Sequence, residues 1–213
     1  MGIFRLNIAV SLDGYIAGPD QSVENPLGIG GMRLHEWALE LAAWRKAHGL
    51  PGGVENASAQ VVEEHLANVG AVVMGRNMFG GHPGPWREPM WNGWWGEDPP
   101  FHAPVFVLTH HPRAPLAMRG GTRFTFVTDG IEAALAQARR AAEGRDVLLA
   151  GGANVARQYL AAGLLDELNL SIAPVLLRAG ERLFDALGSA PALEQVRVIE
   201  APGVTHLRYR VKR

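Results

Sequence analysis

The sequence predicts an α/β protein built on a mostly parallel sheet. Short apolar runs typical of buried strands alternate along the chain with segments of helical periodicity. Near the C-terminus two strand-like runs, Gln195 to Glu200 and Val204 to Val211, flank the turn sequence APG, which predicts a closing antiparallel hairpin. No linker-like composition divides the chain, so we expect one domain over residues 1–213.

Composition excludes several classes of function. The formal net charge is −1, so no global basic field favours nucleic acid or an anionic membrane as a partner. The chain has no cysteine, which excludes disulfides, thiolate metal sites and cysteine nucleophiles. The apolar start is interrupted by Asn7 and Asp13, and no later run reaches the length of a membrane span. We therefore expect a cytoplasmic globular protein.

The first half of the chain should contain two strands and two main helices. Apolar runs predict strands at Ile3 to Val10 and Ala71 to Gly75, the second followed by a helical turn at Arg76 to Phe79. One helix is predicted over Arg33 to Gly49, with an apolar stripe of Leu34, Trp37, Leu41 and Trp44. A second helix, with Ser58 as its N-cap, should carry Val61, Val62, His65, Leu66 and Val69.

The second half continues the alternation. Asp129 and Glu132 have the spacing of a capping box before a helix. A buried strand at Val147 to Ala150 leads through two glycines into a helix that opens at Asn154. The remaining strands are predicted at Val105 to Thr109, Arg123 to Thr128 and Glu167 to Leu177.

Glycine marks the ends of two buried strands, at Gly75 and at Gly151–Gly152. Ligands of open α/β sheets bind beyond the carboxyl ends of the strands, where helix N-termini offer free N–H groups to anions. Arg76 would add a guanidinium suited to a phosphate monoester, unless a local carboxylate pairs with it. Neither known phosphate fingerprint is present, so the glycine pair alone would also fit a simple tight connection.

The motifs SLDGYIAG, VVMGRNMFGG, PVFVLTHHP and DVLLAGGANVARQYLAAGLLDELNLSIAPVLL occur in the order typical of a known superfamily. In these motifs the chain resembles the dihydrofolate-reductase-like superfamily. It is most similar there to the reductase domain of the riboflavin-biosynthesis deaminase-reductase and its stand-alone relatives. The resemblance implies a single-domain three-layer sandwich and a homodimer. Residues 20–57 and 80–103 match least and are expected to be insertions.

The same resemblance implies NADPH as cofactor and a cis peptide bond between Gly151 and Gly152. It implies an NADPH-dependent reductase of a small heterocyclic or carbonyl substrate, similar to 5-amino-6-(5-phosphoribosylamino)uracil reductase. The alternative is a non-catalytic nucleotide- or flavin-binding module on the same fold. The cofactor-binding positions would be Ala9, Ile16, Ala17, Gly75, Arg76, Asn77, Thr109, His110, Gly151, Gly152, Ala153, Asn154 and Val155.

Asp13 is the candidate catalytic residue, because it ends the first strand close to the implied nicotinamide position. There it could bind or protonate a heterocycle, or it could simply be a turn residue. True folate reductases carry an acid early in the helix before the second strand, where this chain has NASAQ. This difference argues against dihydrofolate as the natural substrate.

Residues 80–104 contain four of the six tryptophans without any periodicity. The segment could form a wall or lid over a flat ring, or it could be a satellite core or a dimer contact. No metal site is expected. His110 and His111 are adjacent, so on a strand they would point to opposite faces, and the sequence has no HExxH motif.

Overall fold

The structure is a computed structural model that describes residues 2–185, 187–188 and 191–212. It contains a nine-stranded sheet in the order β10-β11-β8-β1-β7-β3-β4-β6-β5 and a two-stranded sheet of β2 and β9. The strands are β1 Phe4–Ser11, β2 Tyr15–Ala17, β3 Val69–Gly75, β4 Pro104–Leu108, β5 Leu116–Ala117, β6 Arg123–Val127, β7 Asp146–Gly151, β8 Glu167–Ala173, β9 Glu181–Arg182, β10 Leu193–Ala201 and β11 Val204–Val211. The α-helices are α1 Glu36–Leu39, α2 Ala42–Ala47, α3 Ala57–Leu66, α4 Arg76–Phe79, α5 Gly130–Ala142 and α6 Ala153–Ala161, with 3₁₀ turns at Gly31–Leu34 and Arg119–Gly121.

The centre of the large sheet is parallel and both of its edges are antiparallel. Strand β1 pairs in parallel with β7 and β8, and β3, β4, β6 and β7 continue the parallel part. The hairpin of β10 and β11 adds an antiparallel edge beside β8, and β5 closes the other edge. The predicted mostly parallel sheet with a C-terminal hairpin is confirmed.

Alternation along β1 shows the three layers. Phe4 and Leu6 are fully buried in the core that α5 and α6 cover. Between them Arg5 points to the opposite face, where its guanidinium donates to the carbonyls of Glu64 and Ala67 at the end of α3. Since successive strand residues face opposite sides, helices cover both faces of the sheet. Within the described ranges, no helix is long and apolar enough to cross a membrane.

The predicted single helix over Arg33 to Gly49 is wrong. This stretch forms a 3₁₀ turn, α1 and α2, because Leu41 is extended (φ −71°, ψ 138°) and forms a β-bridge with Val54. The N–H of Ala42 donates to the Val54 carbonyl, and the N–H of Val54 donates to Glu40. Backbone hydrogen bonds to a segment about a dozen residues further along the chain therefore replace the helical hydrogen bonds at this point.

Three other predicted details also differ. The N-cap of α3 is Asn56, not Ser58, because the Asn56 side chain accepts from two backbone N–H groups of the first turn while the Ser58 hydroxyl meets His206. Val69 begins β3 instead of continuing the helix. Asp129 makes no side-chain cap bond, since its backbone (φ −91°, ψ 16°) is outside the extended region usual for a cap.

The long strand predicted to reach Leu177 ends at Ala173. Pro174 follows directly and has no N–H to donate to a neighbouring strand.

Candidate active-site cleft

A cleft of about 860 Å³ lies at the carboxyl ends of the central strands. All thirteen residues predicted to bind the cofactor line it, although they come from β1, β2, the ends of β3 and β7, the starts of α4 and α6 and the segment after β4. Parallel strands end at one edge of a sheet, which explains how positions far apart in sequence meet in one cleft. The structure thus brings the predicted positions together, while cofactor binding by them stays a prediction.

The glycines of the cleft are there for different reasons. A Cβ on Gly75 would lie 2.7 Å from Cγ2 of Val155, so this glycine lets α6 pack against the end of β3. Gly151 has φ +127°, which disfavours other residues. Gly152 has an ordinary φ of −81°, and a Cβ there would meet nothing within 4 Å. Neither packing nor backbone conformation accounts for the missing side chain at Gly152, which borders the open cleft.

The first turn of α6 is open to the cleft. Its first helical hydrogen bond runs from the N–H of Ala156 to the Gly152 carbonyl, so the N–H groups of Ala153, Asn154 and Val155 have no helical acceptor. The N-cap residue Gly152 makes no side-chain cap bond. The peptide bond between Gly151 and Gly152 is cis, as predicted.

Arg76 begins α4 beside this helix start. Its guanidinium carbon lies 3.8 Å from the centre of the Trp86 ring, and Arg113 lies 4.9 Å from the same ring. Arg76 donates to the His82 carbonyl, while its buried Nε has no hydrogen-bond partner. Burial, and then the charge of Arg113, lowers the pKa of Arg76. Among the described residues, no carboxylate forms an ion pair with Arg76. The geometry therefore does not favour the alternative in which a local carboxylate pairs with this arginine.

The ends of β4 and β6 give the cleft a second polar wall. Thr109 is buried, and its Oγ1 accepts from the N–H of His111 at 3.1 Å. His110, His111 and Thr128 line the same wall. The described residues contain no cluster of three or more His, Cys, Asp or Glu side chains that could hold a metal.

The cleft wall beyond β1 comes from a segment that sequence reasoning set aside as an insertion. Residues between 21 and 48 line the cleft together with Glu181, which pairs with Ala17 across the small sheet. The lining residues that were missed here are Gln21, Pro26, Leu27, Met32, His35, Leu39, Trp44, His48 and Glu181.

The tryptophan-rich segment is both a satellite core and part of the cleft wall. The indole N–H groups of Trp91 and Trp94 donate to the carbonyls of Phe79 and Met78, which ties the segment to α4. Trp86, Trp91 and Trp95 pack on an apolar cluster on the face of the sheet opposite α5, formed by Val72, Met74, Phe79, Val105, Val107, Phe124 and Phe126. Only Trp94 and Trp95 of the four line the cleft.

Asp13 does not line the cleft, and its carboxylate already has partners. It accepts from the Ser11 hydroxyl at 2.6 Å and from the backbone N–H groups of Leu177 and Arg178 at 3.1 and 2.8 Å. Burial pushes the pKa of Asp13 upward, but these hydrogen bonds outweigh it and hold the pKa at about 2. The geometry favours the turn alternative, in which an ionised Asp13 fixes the loop after β8; a catalytic role stays a prediction.

The strand order and the position of the cleft show the class of protein. It has the dihydrofolate-reductase-like fold, with a cleft at the carboxyl ends of the sheet's strands. A sequence model of the family described as "RibD C-terminal domain" matches residues 3–207. The chain therefore belongs to that family. No curated protein matches the sequence.

Solved structures with low sequence identity share the fold. A protein from Shewanella sp. PV-4 assigned to riboflavin biosynthesis is 20% identical, with a TM-score of 0.63 and 99% of both chains covered. Dihydrofolate reductase from Enterococcus faecalis, solved with NADP(H), is 12% identical, with a TM-score of 0.53, and the match covers 100% of this chain and 98% of that one.

The third structure is the diaminohydroxyphosphoribosylaminopyrimidine deaminase/5-amino-6-(5-phosphoribosylamino)uracil reductase of Thermotoga maritima. It is 15% identical, with a TM-score of 0.56, and the match covers 99% of this chain but 57% of that one. This chain thus spans little more than half the length of that enzyme.

Proposed function

We propose that this protein is an NADPH-dependent reductase of a small heterocyclic or carbonyl substrate. The observation that carries the proposal is the single cleft that collects every residue position predicted for the cofactor. Membership of the RibD C-terminal domain family and the fold shared with a reductase solved with NADP(H) support it.

The residues of the cleft fit a dinucleotide phosphate. Gly152 leaves open space where a side chain would stand, and three N–H groups at the start of α6 can donate to a pyrophosphate. Arg76 offers a planar guanidinium whose Nε lacks a partner, and Thr109 and His110 lie on the neighbouring wall. A guanidinium binds a phosphate monoester through two parallel hydrogen bonds, which suits the 2′-phosphate of NADPH.

In this proposal the protein contributes position and electrostatics. NADPH, when bound, supplies the hydride. Ala9 of β1 and Ile16 and Ala17 of β2 present small or apolar surfaces that would hold the nicotinamide ring. Asp13 acts as a positioning residue, since it holds the loop at Leu177 and Arg178 that flanks this end. The aromatic and apolar residues from the 21–48 segment exclude water from the ring.

The proposal includes a homodimer. Leu193, Val196 and Val198 on the outermost strand β10 are 43%, 46% and 51% exposed, an apolar surface that a second copy could cover. Sedimentation equilibrium of the wild type and of Val198→Lys tests this: the wild type should sediment at twice the monomer mass, and the variant should shift toward the monomer.

The main test measures cofactor preference by titration. Arg76→Ala should weaken NADPH binding about ten- to a hundredfold and leave NADH binding nearly unchanged, because a charge-assisted contact to phosphate contributes about 1.5–3 kcal/mol. Arg113→Ala is the matched control, since it removes a second charge from the same Trp86 ring at a residue outside the cleft lining.

Equal losses of NADPH and NADH affinity in Arg76→Ala would remove Arg76 from this role. Cofactor binding without hydride transfer to any substrate would favour the alternative, a nucleotide-binding module.

A further inference from the structure

The two ends of the cleft differ in chemistry. The strand order places β4 and β6 at one end and β1 at the other, with β7 and β3 between them. Toward the β4 and β6 end lie Arg76, Thr109, His110, His111 and Thr128, a set of hydrogen-bond donors that suits phosphates. We call the opposite wall, formed by the lining residues between 21 and 48 together with Glu181, the β1-end wall.

Rings and apolar side chains dominate the β1-end wall. Trp44 and His48 lie one helical turn apart on and just after α2 and stack with ring centres 3.8 Å apart and planes 19° apart. Nδ1 of His48 donates to the Trp44 carbonyl at 2.8 Å, which fixes the orientation of the imidazole. Leu27, Met32 and Leu39 supply the apolar area. Such a wall binds a planar ring by stacking and burial.

The charge of the β1-end wall disfavours an anion. Its charged member is Glu181, a carboxylate that the β2–β9 pairing holds opposite Ala17. Burial lowers the pKa of His35, which favours the neutral imidazole. Among the lining residues that the structure describes, Arg76 is the one arginine and there is no lysine. A phosphate placed here would lose water without gaining a counter-ion.

We propose that the substrate of this protein is a planar, uncharged ring compound that carries no phosphate. The inference rests on the proposed function, because it assigns Arg76 to the 2′-phosphate of NADPH. It separates this chain from the Thermotoga maritima enzyme, whose name specifies a phosphoribosyl group on the reductase substrate. In this chain the stacked pair Trp44 and His48, and Glu181, line the wall at which a substrate phosphate would need cations.

The test uses two ligand pairs whose members differ only by a phosphate monoester. These are pyridoxine with pyridoxine 5′-phosphate, and riboflavin with riboflavin 5′-phosphate. Each compound is titrated by calorimetry into the full-length protein saturated with NADP⁺, so that the cofactor already holds Arg76. In at least one pair the unphosphorylated member should bind about tenfold more tightly than its partner, since burying an uncompensated charge is costly. If neither pair shows this preference, which includes binding by none of the four compounds, the proposal is overturned.

A variant with an added charge tests the electrostatic cause. Met32 lines the cleft and is 54% exposed, so a longer side chain fits there without disturbing the core. Met32→Arg should reduce or reverse the preference for the unphosphorylated member, whereas the uncharged control Met32→Gln should keep it. The same shift in both variants would overturn the assignment to charge.

Failure of this inference can be told apart from failure of the proposed function. Titration of NADP⁺ comes first, and no binding of the cofactor refutes both proposals. Normal NADP⁺ binding followed by a preference for the phosphorylated ligands refutes only the inference about the substrate.

Discussion

The helices α3 and α6 begin in opposite ways. At α3 the side chain of Asn56 accepts from the N–H groups of Ser58 and Ala59 at 2.8 and 3.2 Å, so the chain satisfies its own helix start. At α6 the corresponding residue is Gly152, which makes no side-chain cap bond. A capping side chain would have room there, since a Cβ on Gly152 meets nothing within 4 Å.

The surroundings of the two helix starts extend this contrast. Below α3, His206 is buried between the hydroxyls of Ser58 and Ser171, each 2.9 Å from a ring nitrogen. Both ring nitrogens of His206 and both hydroxyls therefore have a partner from this chain. Around α6 the neighbours form the cleft, and Ala153, Asn154 and Val155 of its first turn line that open space. A helix start that lacks partners inside the protein is the one available to a ligand.

The largest expected effect concerns acid stability on the α3 side. Burial, and to a smaller extent the charge of Arg197, lowers the pKa of His206 to about 4. An unfolded histidine titrates near 6.5, so the unfolded chain takes up a proton that the folded protein refuses. Stability from this group is complete above about pH 6.5 and declines as the pH falls toward 4. The free energy of unfolding should drop by on the order of 3 kcal/mol between pH 7 and 4.

Urea denaturation across this pH range measures the decline. His206→Gln keeps hydrogen-bonding groups at the position without titrating, so its profile should be flatter than that of the wild type between pH 6.5 and 4. Parallel profiles would mean that the group responsible lies elsewhere, with His65 (pKa lowered to about 3, mainly by burial) as the next one to replace.

A side chain at the open helix start should affect binding more than stability. Gly152→Val places a branched group in the space beside the first turn of α6, where a pyrophosphate would lie. We expect NADPH affinity to fall about a hundredfold, or about 2.7 kcal/mol, while the midpoint of thermal unfolding changes little. Gly188→Val is the matched control, because no atom of the described residues lies within 4 Å of a Cβ on Gly188, which does not line the cleft.

If Gly152→Val instead lowers the unfolding midpoint by many degrees and leaves binding intact, Gly152 is a structural turn. The open start of α6 would then differ from the capped start of α3 without serving ligand binding.

The smallest expected effect is at the satisfied helix start. Asn56→Ala removes the acceptor for two backbone N–H groups and should cost about 1 kcal/mol of unfolding free energy. NADPH binding should not change, since Asn56 does not line the cleft. Asn56→Ser restores a capping oxygen and should recover most of the stability. A loss of cofactor affinity in Asn56→Ala would show that the two helix starts are coupled.

The sequence by itself determined the frame of the molecule and the floor of the cleft. Strand and helix periodicities depend on neighbours a few residues apart, so they can be recognised in the sequence alone. They predicted the mostly parallel sheet and the hairpin of β10 and β11. The glycines at Gly75 and Gly151–Gly152 marked two strand ends, and the connectivity of parallel strands brings such ends to one edge.

Tertiary structure alone decided the cleft wall and the partners of the polar groups. The bridge of Leu41 with Val54 interrupts a stretch whose local pattern is helical, because hydrogen bonds with a more distant segment can override local helix propensity. Asp13 meets the N–H groups of Leu177 and Arg178 from across the chain, a contact that no local spacing encodes. Trp44, His48 and Glu181 form one wall for the same reason: contacts between distant segments depend on how the layers pack, and only the folded chain fixes that.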